Sequence, residues 1–383
     1  MKYFVIAGEA SGDIHASGLI KALSVNDVSA KFKFFGGDFM EQASGVAPEV
    51  HYKDMAYMGF IEVIKHIGVI MGFLKTARSI IDNWKPDAVI LIDYPSFNLK
   101  VAKYAHSLGV PVFYYISPKV WAWKEYRVKQ IKQYVTEMYS ILPFETSFYA
   151  RHGYDVEYVG NPTVNEIAEA RTKFRSREVF CENIGIGKEK SIVALLPGSR
   201  KKEVRDNLKE MLLAVAQFPQ YSPVIAGAPG LSREFYESVF EEFGSVENKP
   251  IVIFGKSFEL VHHAKVALVT SGTATLEVAI LRTPQVVCYR AGGSKLVYSI
   301  FSHLLKVKYV SLPNLIADAP VVKELLLHHC SAENIAAELS LLLDENSEYR
   351  KKMLLGYDNI ARLLTDASSA ETAAIQIVKK LNK

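Results

Sequence analysis

Five short segments of this 383-residue chain bring together carboxylates, hydroxyls, cations and small residues as a strand-to-helix turn requires. Gly8-Glu9-Ala10-Ser11-Gly12-Asp13 follows the apolar run Lys2 to Ala7 and precedes an amphipathic stretch beginning near Ile14. Two glycines allow a tight turn and close approach to a ligand, and the free N–H groups of a new helix attract negative charge. A phosphate-bearing substrate or an acidic catalytic group belongs there. The plain alternative is that any βα turn favours Gly, Ser and Asp. Asp93-Tyr94-Pro95-Ser96-Phe97-Asn98 sets a carboxylate at the end of an apolar run, where a general base would stand or an Asp would cap a helix. Ser117-Pro118-Lys119-Val120-Trp121-Ala122-Trp123 concentrates aromatics in a turn. Two Trp so close suit a ligand face, the alternative being one buried and one exposed. Pro197-Gly198-Ser199-Arg200-Lys201-Lys202 follows small residues with cations. Arg200 would fork onto a diphosphate; without an anion, that is the unfavourable end of a helix dipole for positive charge. Thr270-Ser271-Gly272-Thr273-Ala274-Thr275-Leu276-Glu277 offers hydroxyls and backbone N–H groups to a phosphate, and Glu277 to the two hydroxyls of a ribose. Alternatively, Ser271 is a helix cap and Glu277 an ordinary helical residue.

The spacing Gly8-x-x-x-Gly12 fits neither G-x-G-x-x-G nor the P-loop pattern, which disfavours a Rossmann dehydrogenase and a P-loop ATPase. No Asp-x-Asp occurs in the chain, so no metal and no cofactor is expected. Leaving-group charge would then fall to cations and helix N-termini.

The elements that must position these residues alternate. Apolar runs 2–7, 32–35, 88–92, 112–116 and 138–142 are separated by helical-period segments, and a second series follows at 191–196, 224–226, 251–254, 267–269 and 286–289. Such alternation predicts parallel sheets covered on both faces. With 49% hydrophobic residues, the length exceeds what one core usually supports. The expectation is an α/β chain of two doubly wound, Rossmann-like halves facing a cleft, with ligands at the carboxyl ends of the strands. The polar stretch from Asn165 to Lys190 reads as the interdomain linker, and the boundaries fall at 1–170, 171–360 and a closing helical segment, 361–383.

A net charge of +4 favours anionic ligands or surfaces without demanding nucleic acid. Three separated cysteines, Cys181, Cys288 and Cys330, give no disulfide framework or zinc site and fit a reducing cytosol. The first apolar run is too short for a signal-peptide core. The tract Gly59 to Trp84 is broken by Glu62, Lys65, His66, Lys75 and Arg78, so it reads as an amphipathic helix. It packs on a core or, with its apolar face widened by Val63, Val69 and Phe73, docks on a bilayer.

These segments, with Met58-Gly59-Phe60-Ile61-Glu62-Val63, Pro143-Phe144-Glu145 and Leu312-Pro313-Asn314-Leu315-Ile316-Ala317, occur in an order that resembles the lipid-A-disaccharide synthases along nearly the whole chain. The resemblance implies an inverting glycosyltransferase of GT-B architecture. Its substrates would be UDP-2,3-diacylglucosamine and 2,3-diacylglucosamine 1-phosphate, and its products UDP and a β-1,6-linked disaccharide phosphate. Asp93 matches the family's proposed base and Glu9 the acid of the first turn; Asp93 is the first choice for the base and Glu9 the second. Arg200 matches the leaving-group cation and Glu277 the nucleotide-side acid, with Ser199, Ser271, Gly272, Thr273 and Asn314 beside them. Ser11, Met58, Phe60, Trp121 and Trp123 fall on the acceptor and lipid side. The chain departs from the family at Ser96, where a second Asp is common, and at Asn161, where His is common. The resemblance further implies a cytoplasmic protein held peripherally on the inner membrane, helped by the basic stretch Lys295 to Lys308. It also implies a last helix, Glu371 to Leu381, that returns to the first domain and supports a homodimer. Another UDP-sugar enzyme of this architecture, such as a UDP-GlcNAc 2-epimerase or an N-acetylglucosaminyl transferase, is the alternative, and should lack the Trp-Ala-Trp loop and the wide apolar helix. A non-catalytic nucleotide-sugar binder would keep the Ser271 turn without needing both Glu9 and Asp93.

Overall fold

The computed structural model describes residues 1–55, 67–187, 189–243, 250–290, 308–364 and 367–383; the side chains of Ile67 and Trp123 fall outside the description. Two compact units emerge, Met1–Pro162 with Thr365–Lys383, and Thr163–Leu364.

The first unit holds a seven-stranded, all-parallel sheet in the order β3-β2-β1-β4-β5-β6-β7. Its strands are β1 Lys2–Ala7, β2 Lys31–Gly36, β3 Val50–His51, β4 Ala88–Ile92, β5 Val112–Tyr115, β6 Glu137–Ser140 and β7 Glu157–Tyr158. Central strands covered on both faces read as continuous apolar runs, and Tyr3 to Ala7 and Ala88 to Ile92 are buried throughout. The helix Ala10–Asn26 lays Ala16, Leu19, Ile20 and Leu23 on this sheet. The last helix, Ser369–Leu381, adds Ala373, Ala374 and Ile377 to the same core, and Ser369 Oγ pairs with Tyr115 Oη at 2.8 Å.

The second unit is a six-stranded parallel sheet in the order β10-β9-β8-β11-β12-β13. Its strands are β8 Ser191–Leu196, β9 Tyr221–Gly227, β10 Ile251–Phe254, β11 Val266–Val269, β12 Gln285–Tyr289 and β13 Lys323–Leu326. The stretch read as a linker is folded: helices Pro162–Arg171 and Arg177–Asn183 carry Ile167, Phe180 and Cys181 into this unit's core. Their polar faces are solvent-facing helix surfaces, which a composition shift alone does not distinguish from an open linker. The expected boundary at 170 coincides with the end of the first of these helices, whereas the compact unit begins at Thr163.

In each sheet the strand order reverses between two neighbours, β1 and β4 in one and β8 and β11 in the other. Ligands of open parallel sheets bind outside the carboxyl ends of the strands at such reversals. Register brings the strand ends level there, Ala7 beside Ile92 and Leu196 beside Val269.

Candidate active site

The turns leaving β1 and β4 carry Glu9 and Asp93. Gly8 is required by close approach: a Cβ there would lie 2.4 Å from the ring of Tyr94, which covers this backbone. Tyr94 also donates its hydroxyl to the Met55 carbonyl at 3.0 Å. Glu9 is half-buried and Ser11 exposed. Asp13 closes the motif by a different role. Buried at 1% exposure, its Oδ1 accepts from Gly37 N at 2.7 Å and Met40 N at 3.2 Å, and its Oδ2 from Phe39 N at 3.1 Å. The carboxylate therefore satisfies the free N–H groups of the helix Asp38–Ser44 and fixes the first helix against it.

Asp93 and Tyr94 both have positive φ, 39° and 47°. The region favours glycine; Asp enters it more readily than most residues and Tyr does not, and such strain persists where the surroundings enforce it, often at functional sites. Burial pushes the Asp93 carboxyl up to about 6, Glu9 beside it adds to the rise, and Lys119 opposes both. The turn after β4 thus holds a carboxyl raised above the ordinary aspartate range. Ser96, which stands where the family often has Asp, accepts from Arg127 Nη2 at 3.0 Å.

The turn after β5 begins at Ile116, again strained at φ 65°. Ser117 Oγ and Tyr149 Oη pair at 2.9 Å. Trp121 is 8% exposed, stacks edge-on against Phe144 and donates its indole N–H to Glu145 Oε1 at 2.9 Å, so it packs inward and offers little surface to a lipid. The other oxygen of Glu145 accepts from Ser140 Oγ. Burial raises the Glu145 carboxyl to about 7 against the pull of these donors. Met58, Phe60 and the side chain of Trp123 lie outside the described residues, as does all but the last residue of the basic stretch 295–308.

In the second unit, the turn leaving β8 holds Gly198 at φ 118°, a conformation that favours glycine, followed by exposed Ser199 and Arg200. Glu203 turns back on it, accepting from Ser199 N and from Arg200 Nη1, each at 3.2 Å. A carboxylate thus sits against the donors expected to meet a phosphate. Asn207, buried one turn further along, donates to the Glu203 carbonyl at 2.8 Å and accepts from Arg290 N at 2.8 Å, tying the helix Lys201–Val215 to the end of β12. Neither Glu203 nor Asn207 was anticipated as a site residue. No sequence signal marks Glu203, since the N-cap three residues before it is Arg200 and not the Ser or Thr of a capping box.

The turn leaving β11 places Ser271, Gly272 and Thr273 at the start of the helix Thr273–Ile280, with Gly272 and Thr273 exposed. Ser271 Oγ donates to the Val310 carbonyl at 3.1 Å. Burial raises Glu277 to about 7, and Glu166 on the helix Pro162–Arg171 raises it further. Glu166 also lines a cleft of about 470 Å3 with Lys173, Phe174, Lys256 and Phe258, at the turn that leaves β10. Asn314 is buried with its amide spent inside the chain. Its Oδ1 accepts from Val322 N at 2.8 Å, and its Nδ2 donates to Val322 O and Glu324 Oε1, each at 2.9 Å.

Four of the sequence motifs therefore converge on the two strand-order reversals, Glu9 with Asp93 in one unit and Ser199, Arg200 with Ser271 to Glu277 in the other. Comparison with known proteins gives the family. A family model described as Lipid-A-disaccharide synthetase matches residues 3–378. The chain belongs to the lipid-A-disaccharide synthase family. A lipid-A-disaccharide synthase of Myxococcus xanthus is 38% identical over 99% of this chain and 97% of its own length, and one of Acidobacterium capsulatum 37% over 99% and 96%. Family membership makes the protein a glycosyltransferase that forms the lipid A disaccharide. Solved structures similar to the synthase include the UDP-GlcNAc 2-epimerase of Neisseria meningitidis bound to UDP-GlcNAc, with TM-score 0.67, 14% identity and all of both chains covered. An S. aureus MnaA-UDP co-structure follows at TM-score 0.66 and 12% identity, over 100% of this chain and 96% of that one. At such identity the likeness concerns the GT-B fold alone.

Among the described residues no helix is long and apolar enough to cross a membrane, and no group of three His, Cys, Asp or Glu side chains is arranged to hold a metal.

Proposed function

We propose that this enzyme joins UDP-2,3-diacylglucosamine to 2,3-diacylglucosamine 1-phosphate by a single inverting displacement in which Asp93 is the general base. Asp93 takes the proton of the acceptor 6-hydroxyl as that oxygen attacks the anomeric carbon, and the bond to UDP breaks as the new bond forms. The observation that carries this reading is the strained Asp93 at the reversal between β1 and β4, its carboxyl raised to about 6 by burial and by Glu9. A base works best with a pKa near the working pH. Glu9 acts on Asp93 through its charge. Arg200, Ser199 and the turn Ser271 to Thr273 hold the diphosphate, and Glu277 the ribose. Charge developing on the leaving phosphate falls on the Arg200 guanidinium and on backbone N–H groups. The diphosphate displaces the Glu203 carboxylate from Ser199 N and Arg200, since the two anions compete for the same donors.

Peripheral docking on the inner membrane belongs to the same proposal. The helix Ile67–Trp84 buries Leu74, Ala77, Ile80 and Ile81, while Val69 and Met71 at its start stay exposed at 42% and 45%. An apolar edge of that kind suits the surface of a bilayer.

The test is disaccharide formation from the two acylated sugars in detergent with excess EDTA, followed by mass spectrometry, for wild type and for Asp93→Asn. Wild type should form disaccharide despite the chelator. Asp93→Asn should lose about 10² to 10⁴ in rate, the usual share of a general base, with UDP affinity kept. Near-normal turnover of Asp93→Asn removes Asp93 from that role.

A further inference from the structure

The backbone carbonyl of Asp93 receives two donors. Tyr114, fully buried in β5, donates its hydroxyl, and Asn98, fully buried in the helix Pro95–Ser107, donates Nδ2 at 2.9 Å. The same Asn98 nitrogen donates to the Ile92 carbonyl at 3.1 Å, and Asn98 N donates to Tyr94 O at 3.1 Å. The Asn98 side chain thus grips Ile92 and Asp93 and its backbone N–H holds Tyr94, so one residue ties down three consecutive ones, two of them at positive φ. Each such conformation costs about 1–3 kcal/mol. Without an external hold, a peptide of Asp and Tyr relaxes toward ordinary φ and carries the Asp93 side chain with it. Burial and the charge of Asp93 keep the Tyr114 phenol well above its usual range, so it remains a donor at any working pH.

We propose that Tyr114 and Asn98 are positioning residues of the transfer reaction, whose hydrogen bonds to the Asp93 carbonyl hold the strained Asp93-Tyr94 turn in the conformation that sets the Asp93 carboxylate as base. This rests on the reading of Asp93 as base. Neither side chain touches substrate in this role; both act through the backbone of Asp93. A misplacement on the order of 1 Å costs about a hundredfold in rate, so a hold on the backbone of the base matters to turnover more than to binding.

The experiment is Tyr114→Phe, which keeps the ring and removes one donor, measured alone and together with Asp93→Asn. Alone, kcat should fall about ten- to a hundredfold, with the acceptor KM and the UDP Kd within about twofold of wild type. In the Asp93→Asn background the same change should cost nothing further, because the group it positions is gone. A tyrosine that only fills the core would leave kcat near wild type, or would lower it equally in both backgrounds; either result overturns the inference. If Tyr114→Phe fails to fold, Asn98→Leu, which removes the second donor at similar volume, is read against the same criteria. The two readings separate: full turnover by Asp93→Asn overturns both, whereas loss in Asp93→Asn with an unaffected Tyr114→Phe overturns the positioning role alone.

Discussion

The raised Asp93 carboxyl makes the pH dependence of kcat/KM the most discriminating measurement on this enzyme. The base must be ionised to act, so activity should fall on the acid side as Asp93 binds a proton. With its carboxyl at about 6 in place of the ordinary 3.8, only about one-tenth of the enzyme has an ionised base near pH 5, against more than nine-tenths for an unperturbed aspartate. A tenfold drop between neutrality and about pH 5 is expected in initial rates of UDP release at limiting substrate, which report the free enzyme. The acceptor phosphate has its own ionisation near 6, so the drop alone does not identify Asp93. Two variants do. Glu9→Gln removes the like charge that raises Asp93, so the acid limb should move to lower pH; Lys119→Met removes the opposing cation, so it should move to higher pH. A substrate ionisation would respond to neither. Limbs that coincide in wild type and both variants, or shift in the same direction, refute the assignment. The same pKa shift has a stability side. A carboxyl raised on folding stabilises fully below its unfolded value and loses that contribution as pH climbs from about 4 through about 6.

Other outcomes follow from the remaining sites. Arg200→Ala should weaken UDP binding about ten- to a hundredfold in calorimetry, the range of a charge-assisted hydrogen bond, and Glu277→Gln should weaken it less; unchanged affinity in both would move the nucleotide elsewhere. Glu145 is buried against Trp121 and Ser140 with its carboxyl near 7, so its stabilising share is whole below about 4.5 and lost as pH rises through 7. Thermal melts of Glu145→Gln, which cannot ionise, should decline less than wild type between about pH 5 and 8, by up to about 3 kcal/mol; parallel curves would sink this. Sedimentation with anionic vesicles should capture the synthase at low salt and release it at high salt, and salt-independent recovery in the supernatant would count against docking.

Much of the architecture was legible because it is written in local pattern. Runs such as Ala88 to Ile92 are apolar without alternation, which only a strand buried on both faces tolerates, and Gly198 stands at the turn after β8 where a positive φ demands it. Of the four edge strands, Ile251–Phe254 was legible as an apolar run and the other three were not. Val50–His51 and Glu157–Tyr158 are too short for any periodicity, and Lys323–Leu326 follows two charged residues with two Leu, which is neither an apolar run nor an alternation. Asp93 could be placed as a candidate from its position after a strand, but its strain depends on Tyr114 and Asn98. Tyr114 reaches it across a strand pairing that a linear reading does not contain. The same holds for Asp13, whose partners lie 24 to 27 residues further along, and for Gly8, which makes room for a ring from the turn after β4. Trp121 shows the limit from the other side: two neighbouring tryptophans in a turn suggested a ligand face, yet the hidden acceptor that draws the first inward, Glu145, comes from another element.

The first unit is discontinuous, and that has a consequence for how the chain matures on the ribosome. β1 and the helix bearing Glu9 emerge first, but Ala373, Ala374 and Ile377, which complete the core beneath that helix, are synthesised last. The intervening unit has all its strands before then. The unit Thr163–Leu364 is therefore synthesised whole while the other still exposes the apolar face of its opening helix, so a nascent chain stalled before residue 369 carries the turns of Glu9 and Asp93 without that part of their core. A chain cut before that helix would leave this core open where Ala373, Ala374 and Ile377 close it.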